Sequence, residues 1–396
     1  MSAPPTTPAG GGASFGGAFA GRRVLLTGHS GFKGAWLCEW LLALGARVTG
    51  LALPPDTTPA IFEQLGLASR MDSIFGDLRS LDGVRRVVAE AQPDFVFHLG
   101  AQPLVRRSYR EPLVTWQVNV LGTVHLLEAL RGLAKPCAAV FVTTDKCYEN
   151  HEWLYGYREN DALGGYDPYS SSKAAAEIAI AAWRRSFLGR HPVRVATARA
   201  GNVIGGGDWA EDRIVPDCAR AWLAGRPVRL RNPRATRPWQ HVLEPLSGYL
   251  RLAQCLAGEP AGADVPSPLA AAFNFGPGHD ANRTVRELVE EAGRLVDAKW
   301  VDASDPQAPH EARLLQLSID KAAGLLGWRP VWTFAEAVRE TLRWYFDVAQ
   351  EADPGLPSRL TRDQIQAYTG RAADLGLPWA VPTLPAAASP SPLAGP

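Results

Sequence analysis

Residues 23–34 read RVLLTGHSGFKG, and the architecture of the chain follows from them. The short apolar run 23–27 passes directly into Gly28, Gly31 and Gly34, spaced G-x-x-G-x-x-G. Trp36, Leu37, Trp40, Leu41 and Leu44 then recur at helical spacing. Glycines between a buried strand and its helix allow a tight turn, let backbone approach a pyrophosphate, and present it with the helix N-terminus. The expected ligand is a dinucleotide, with Lys33 placed to serve its pyrophosphate.

Outward from that stretch, further apolar runs at 47–53, 94–100, 138–144 and 193–199 alternate with segments of helical periodicity. Near-continuous apolar strands are buried on both faces, so the fold class is α/β with a doubly wound parallel sheet. Beyond about residue 201 the pattern loosens into GNVIGGGDW and RNPRATRPW, with helices expected near 214–225, 284–296 and 334–350. We read 21–200 as the dinucleotide-binding domain and 201–350 as mainly a smaller, mixed α/β C-terminal substrate lobe, partly interleaved with it. A C-terminal segment occupies 351–396. Residues 1–20 and those from about 381 are rich in Pro, Ala, Gly and Ser without periodicity, and read as disordered extensions. Trp36 and Trp40 are assigned to the core or a subunit interface.

Composition removes several function classes. The 396-residue chain carries 41 basic and 40 acidic residues, leaving no net field to attract nucleic acid or an anionic membrane. The five cysteines are scattered and form no C-x-x-C pair, so neither a disulfide framework nor a metal site is expected. No stretch has the length and apolarity of a membrane span or the form of a secretory signal, and a cytoplasmic protein is expected. Only six of the 41 basic residues are lysine. A lysine inside a motif therefore points to a need for an ammonium.

Two of those lysines lie in chemically telling places. Tyr169-Ser170-Ser171-Ser172-Lys173 opens an expected helix, which puts Tyr169 and Lys173 one turn apart on one face. An ammonium so placed lowers the phenol's pKa and equips it to take a proton from a sugar hydroxyl while a nicotinamide takes the hydride. The run 138–144 ends in Thr144-Asp145-Lys146, at the carboxyl end of a strand, where such sheets bind ligands.

These features resemble the extended short-chain dehydrogenase/reductase family: TGHSGFKG, HLGAQ (98–102), NVLGT (119–123), YSSSK and ARAGNVIG (198–205) occur in family order. The resemblance covers roughly 21–350. It implies a Rossmann domain, tightly held NAD, a nucleotide-sugar substrate, and a homodimer or homotetramer built from Rossmann-domain helices. It places cofactor contacts at Phe32, Leu78 and Ala101, with Asp77 a candidate contact for adenine, and diphosphate contacts at Asn202 and Arg237. Gln102, Ser108 and Tyr109 lie on a loop expected to reach sugar or cofactor. Arg229, Arg231 and Arg234 read as solvated, and His310-Glu311 as a nucleotide-proximal segment or a surface pair. The acidic reader of the adenosine ribose is missing, since the second strand ends Leu53-Pro54-Pro55; NADP therefore stays open, and His29 and Lys33 could favour its phosphate.

Related 4,6-dehydratases carry Thr-Asp-Glu where this chain has Thr144-Asp145-Lys146. That lysine, with QPLVRRSYREP (102–112), TDKCYEN (144–150) and RNPRATRPWQHVLEPLSGYL (231–250), resembles the branch acting on CDP-glucose. The implied reaction is oxidation at C4, elimination of water across C5 and C6, and hydride return to C6. Tyr169 is the expected base at O4, Thr144 its partner, Asp145 the acid at O6 and Lys146 the base at C5. Two other readings remain: an NAD-dependent 4-epimerase or a dehydratase of another nucleotide sugar, and a non-enzymatic NAD-binding regulator on the same fold.

Overall fold

The computed structural model describes residues 14–259, 267–304 and 314–381. The His310-Glu311 pair lies outside them. Six strands follow in chain order, β1 Arg23–Thr27, β2 Arg47–Ala52, β3 Asp72–Phe75, β4 Phe95–His98, β5 Cys137–Val142 and β6 Val193–Ala200, joined by β7 Ala272–Phe275 from the second lobe. They form one parallel sheet in the order β7-β6-β5-β4-β1-β2-β3. The order reverses between β1 and β4, and that switch point is where such a sheet opens a ligand crevice. Thr27 Oγ1 pins it, meeting His98 Nδ1 at 2.7 Å and accepting from the Gly100 amide at 3.1 Å.

Helices α1 Phe32–Ala43, α2 Leu81–Ala91, α3 Gly122–Leu130 and α4 Pro168–Ser186 flank the sheet. They are followed by α5 Ile214–Leu223, α6 Leu243–Ala257, α7 Phe334–Gln350 and α8 Leu356–Asp374. Two apolar clusters fill the faces of the sheet; Val84, Val87 and Val88 of α2 and Leu126, Leu127 and Leu130 of α3 pack with Leu25, Val96 and Ala139 in one of them. On the other face Trp36 and Trp40 are fully buried in the core. Their helix is apolar on nearly all sides because α8, beyond the expected second lobe, covers it. Buried side chains of this size contribute roughly 1.5–3 kcal/mol each.

The structure corrects the reading of a disordered N-terminal extension for residues 14–20; residues 1–13, and those from 382 onward, lie outside the described residues. Phe15 and Phe19 are buried: Phe15 stacks on Trp379 at 5.0 Å between ring centroids, and Phe19 lies 4.8 Å from Phe95. Two aromatics four residues apart in a Gly/Ala-rich stretch are enough to hold residues 14–20 against the sheet. The second lobe shares the same core, since β7 extends the main sheet and α6 packs against β5 and β6. Its RNPRATRPW segment includes a short strand, Thr236–Pro238, paired antiparallel with Asn282–Thr284. No helix among the described residues is long and apolar enough to cross a membrane. All five cysteines are free thiols.

Candidate active site

At the carboxyl end of β1, Gly28 has φ +78°, and a Cβ there would lie 2.7 Å from the Gly100 amide nitrogen. A Cβ on Gly34 would lie 2.0 Å from the Gly28 carbonyl oxygen, so strand, turn and helix close only with glycine at both positions. Gly31 leads into α1 without a side-chain cap, which leaves the first helical amides directed at a ligand. These residues fit a dinucleotide's pyrophosphate. His29 is fully buried beside Ser73, 2.7 Å away, and burial lowers its pKa to about 4. It is therefore neutral, and the expectation that it could favour a 2′-phosphate by charge fails. Lys33 turns inward, its Nζ 3.5 Å from the Tyr249 hydroxyl. Desolvation, helped by Arg213, lowers it to about 7.

Further along the crevice Asp77 is held by Arg79, at 2.8 Å from Nε and 2.5 Å from Nη2. Leu78 is buried, and its carbonyl meets His125 Nδ1 at 2.8 Å. Ala101, partly exposed, follows β4. Asp77, Arg79, Ser80, Gln117, Leu121 and His125 line a cavity of about 450 Å³.

The second group of predicted residues gathers at the ends of β5 and β6. Asp167 caps α4 by accepting from the Tyr169 and Ser170 amides at 3.0 and 2.9 Å, and Pro168 occupies the first turn. This local chemistry starts the helix where Tyr169 faces the crevice. Thr144 hydrogen-bonds the Tyr169 phenol and donates to Asp145 Oδ1 at 2.9 Å. Lys146 Nζ lies 3.3 Å from that same oxygen and 3.0 Å from Asn202 Oδ1. Thr144, Asp145, Lys146, Tyr169 and Asn202 thus form one connected cluster. Asn202, expected at the diphosphate, holds Lys146 here.

The Tyr169–Lys173 relation differs from the expectation. Lys173 is buried and donates to the Val142 carbonyl at 3.3 Å; desolvation brings it to about 8. Burial pushes Tyr169 up to about 12 against the Thr144 hydrogen bond, and the cation that lowers it is Arg213. Helical spacing sets the two side chains on one face but does not fix where a four-carbon stem ends, and here the strand carbonyl takes it.

Gln102 and Ser108 do not present free polar groups to the crevice. Gln102 Nε2 donates to Leu104 O and Thr115 Oγ1 while its Oε1 accepts from the Leu104 amide, and Ser108 Oγ donates to Val105 O at 2.6 Å. Both fold the wall instead. Tyr109 is about half exposed. Arg237 is half-buried on its short strand, with Nη1 2.7 Å from Thr236 O. Arg229 and Arg234 are exposed, and Arg231 pairs with Asp212 at 2.6 Å.

Sequence reasoning passed over three polar groups that surround the cluster. Asn119, in NVLGT, ties the Gln102 backbone to Ser172 Oγ and so braces α4. Glu177, one turn beyond Lys173, pairs with the buried Arg199 at 2.8 Å and raises Lys173 electrostatically; its i, i+4 spacing was the available signal. Arg213 pairs with Asp208, five residues earlier, at 2.8 Å, and its electrostatic influence on Tyr169 spans 44 positions that no local pattern marks.

Comparison with known proteins gives consistent results. The family model described as GDP-mannose 4,6 dehydratase matches residues 25–341. A CDP-glucose 4,6-dehydratase of Salmonella typhimurium is 46% identical over 332 residues, 82% of this chain and 90% of its own length. A UDP-glucose 4-epimerase of Mycolicibacterium smegmatis is 28% identical over 334 residues, 83% of this chain and all of its own. Among solved structures, the UDP-glucose 4-epimerase of Thermus thermophilus in complex with NAD superimposes with a TM-score of 0.67 at 28% identity, covering 84% of this chain and all of that one. The chain belongs to the family of that matching model.

Proposed function

We propose that this member of the family converts CDP-glucose to CDP-4-keto-6-deoxyglucose and water, with NAD as a retained cofactor. The observation that carries the reading is that Asp145 and Lys146 stand in the cluster with Thr144 and Tyr169. Oxidation at C4 alone needs the tyrosine; an added acid and amine suit elimination across C5 and C6. The 46% identity to a CDP-glucose 4,6-dehydratase, against 28% to an epimerase, supports the same choice.

Gly28, Gly31, Phe32, Lys33 and Gly34 would hold the pyrophosphate side of the cofactor, Asp77, Leu78 and Ala101 its adenosine side, and Tyr169 and Lys173 its nicotinamide riboside. When bound, the cofactor would supply the hydride acceptor for C4 and the hydride donor for C6. Tyr169 accepts the O4 proton, with Thr144 orienting O4. The resulting ketone acidifies H5, which Lys146 removes, while Asp145 protonates the departing O6 and water leaves. The proton on Lys146 later returns to C5. The proton gained by Tyr169 equals the one lost by Asp145, and Thr144 bridges the two. Arg237 meets the diphosphate with its fork of donors, Asn202 supports Lys146, and Gln102 and Ser108 shape the sugar wall. Lys146→Ala should abolish solvent-proton exchange at C5 while leaving oxidation at C4; full exchange in that variant would remove Lys146 from the role.

Leu113, Trp116, Leu121 and Ile178 are 78, 42, 50 and 59% exposed on neighbouring helices of the nucleotide-binding half, and a second copy of the chain is their proposed cover. Five free thiols suit a reducing, cytoplasmic setting. The deciding experiment incubates the protein with CDP-, UDP-, dTDP- and GDP-glucose. Loss of one water from CDP-glucose alone supports the reading. Isomerisation without mass change makes the protein an epimerase, and silence with bound NAD makes it a regulator.

A further inference from the structure

Strands β5 and β6 run side by side in parallel register, with Val142 opposite Ala198 as their last pair. Asp145 and Gly201 each come three residues after that pair, and Lys146 and Asn202 follow them, so the two strand ends meet step for step. The second step is a hydrogen bond, from Lys146 Nζ to Asn202 Oδ1 at 3.0 Å. The first is a close approach. A Cβ on Gly201 would lie 2.8 Å from Asp145 Oδ2, 3.5 Å from Asp145 Cγ and 3.4 Å from Pro238 Cγ. Real Cβ atoms do not stand within 3.0 Å of a neighbouring heavy atom, so the carboxylate keeps its place because residue 201 has no side chain. Gly201 is not one of the glycines with positive φ; its backbone would accept any residue, and the carboxylate is what requires glycine.

The same geometry separates the two oxygens of Asp145. Oδ1 accepts from Thr144 Oγ1 at 2.9 Å and from Lys146 Nζ at 3.3 Å. An oxygen with both lone pairs accepting carries no hydrogen, so while those bonds stand a proton on this carboxyl sits on Oδ2. Among the described residues no donor reaches Oδ2: Gly201 meets it without a side chain, and Pro238 has no N–H. It is also not one of the sealed polar atoms left without a partner, so one side of it stays open. We propose that Gly201 is a positioning residue which, by seating Asp145 Oδ2 against the end of β6, makes Oδ2 the oxygen that hands a proton to the departing hydroxyl. The inference rests on the proposed reading of Asp145 as the acid at O6. In that step H5 passes to Lys146, the C5–H electron pair becomes the second bond between C5 and C6, the C6–O6 pair leaves with the oxygen, and the proton from Oδ2 completes the water. A methyl group at residue 201 would drive Oδ2 out of its seat and pull Oδ1 from Thr144 and Lys146, because a carboxylate moves as one rigid plane. Oxidation at C4 through Tyr169 does not need the proton on Oδ2.

The test is Gly201→Ala. Its kcat for water elimination from CDP-glucose should fall about 10²-fold, the scale of a displacement of about 1 Å at a reacting group, with KM within about twofold of the parent. Reduced nicotinamide should build up in a single turnover, because oxidation continues while elimination lags. CDP-6-deoxy-6-fluoroglucose loses fluoride, which departs without a proton, and on that probe the variant should recover to within about threefold of the parent. An equal loss on both substrates, or a loss carried by KM, would overturn the proposal and make Gly201 a packing residue. A readout without substrate separates this from failure of the proposed reaction: urea midpoints of the parent, Gly201→Ala, Asp145→Ala and the double variant. Gly201→Ala should cost the parent stability that it does not cost the Asp145→Ala background, and the cycle cancels what the added methyl does to the unfolded chain. Equal shifts in the two backgrounds sink the proposal even if no nucleotide sugar is turned over.

Discussion

Two glutamates of this protein are buried to nearly the same degree and are driven in opposite directions. Glu177, 3% exposed behind the site, accepts from Thr143 Oγ1 at 2.5 Å, Thr197 Oγ1 at 2.9 Å and Arg199 at 2.8 Å. Burial alone would raise its pKa, but the guanidinium and the two hydroxyl donors outweigh that and hold it below the ordinary carboxylate value. Glu244, 1% exposed where α6 meets α8, accepts from the Val331 and Trp332 amides at 2.9 and 2.7 Å and from the Tyr368 hydroxyl at 2.7 Å. Those donors are neutral, desolvation wins, and its pKa rises to about 7. Hydrogen bonds alone do not keep a buried carboxylate charged; a partner of opposite charge does. The charged network lies behind Lys173 at the site, and the neutral one serves a junction of helices.

If that division of labour holds, removing a reacting group should cost rate and spare the fold. Tyr169→Phe is the largest expected effect, a loss of about 10²- to 10⁴-fold in turnover. Its thermal midpoint should stay near that of the parent, because the change removes one hydroxyl, whose partner is Thr144, and keeps the ring. A fall in stability to match the lost activity would place Tyr169 in the frame and not in the chemistry. Next comes Glu177→Gln. It leaves Arg199 buried without its counter-charge, and breaking such a pair costs about 3–5 kcal/mol, read from urea midpoints. The fraction that stays folded should also have a less basic Lys173, since Glu177 is the leading influence raising it. A variant as stable as the parent would erase the distinction drawn between the two carboxylates.

How legible each region was in the sequence follows the same line. The glycine turn is spelled by local geometry, and β1, β4 and β5 by uninterrupted apolar runs. Asp145, Lys146 and Tyr169 are placed by strand and helix ends that their neighbours determine, as with the cap Asp167-Pro168. Strand β3 has a weak, half-exposed pattern, and β7 arrives after a long excursion through the second lobe, so neither is evident from periodicity. Glu244 meets Val331 across 87 positions and Tyr368 across 124, and nothing near Leu243 or Pro245 announces those partners. Phe15 and Phe19 were hidden for another reason: Gly/Ala composition describes the average of a segment, while two aromatic side chains decide where it packs.

The smallest of the three effects distinguishes the glutamates most directly, because their linkage to pH has opposite sign. Glu177 is held below its ordinary value, so its contribution is present at neutral pH and is lost as pH falls through its folded value. Glu244 has a folded pKa of about 7 against 4.5 in a solvated chain. Its contribution is complete below pH 4.5, and it is lost as pH rises through about 7, because only the unfolded chain has given up the proton in between. The span sets an upper bound of about 3 kcal/mol. Urea midpoints of the parent should therefore carry a downward slope between pH 5 and 7.5 that Glu244→Gln removes, since an amide at that position keeps a hydrogen-bonding side chain without a titrating proton. Parallel slopes in parent and variant would mean that Glu244 is charged at the junction, and that an unseen compensation does there what Arg199 does for Glu177.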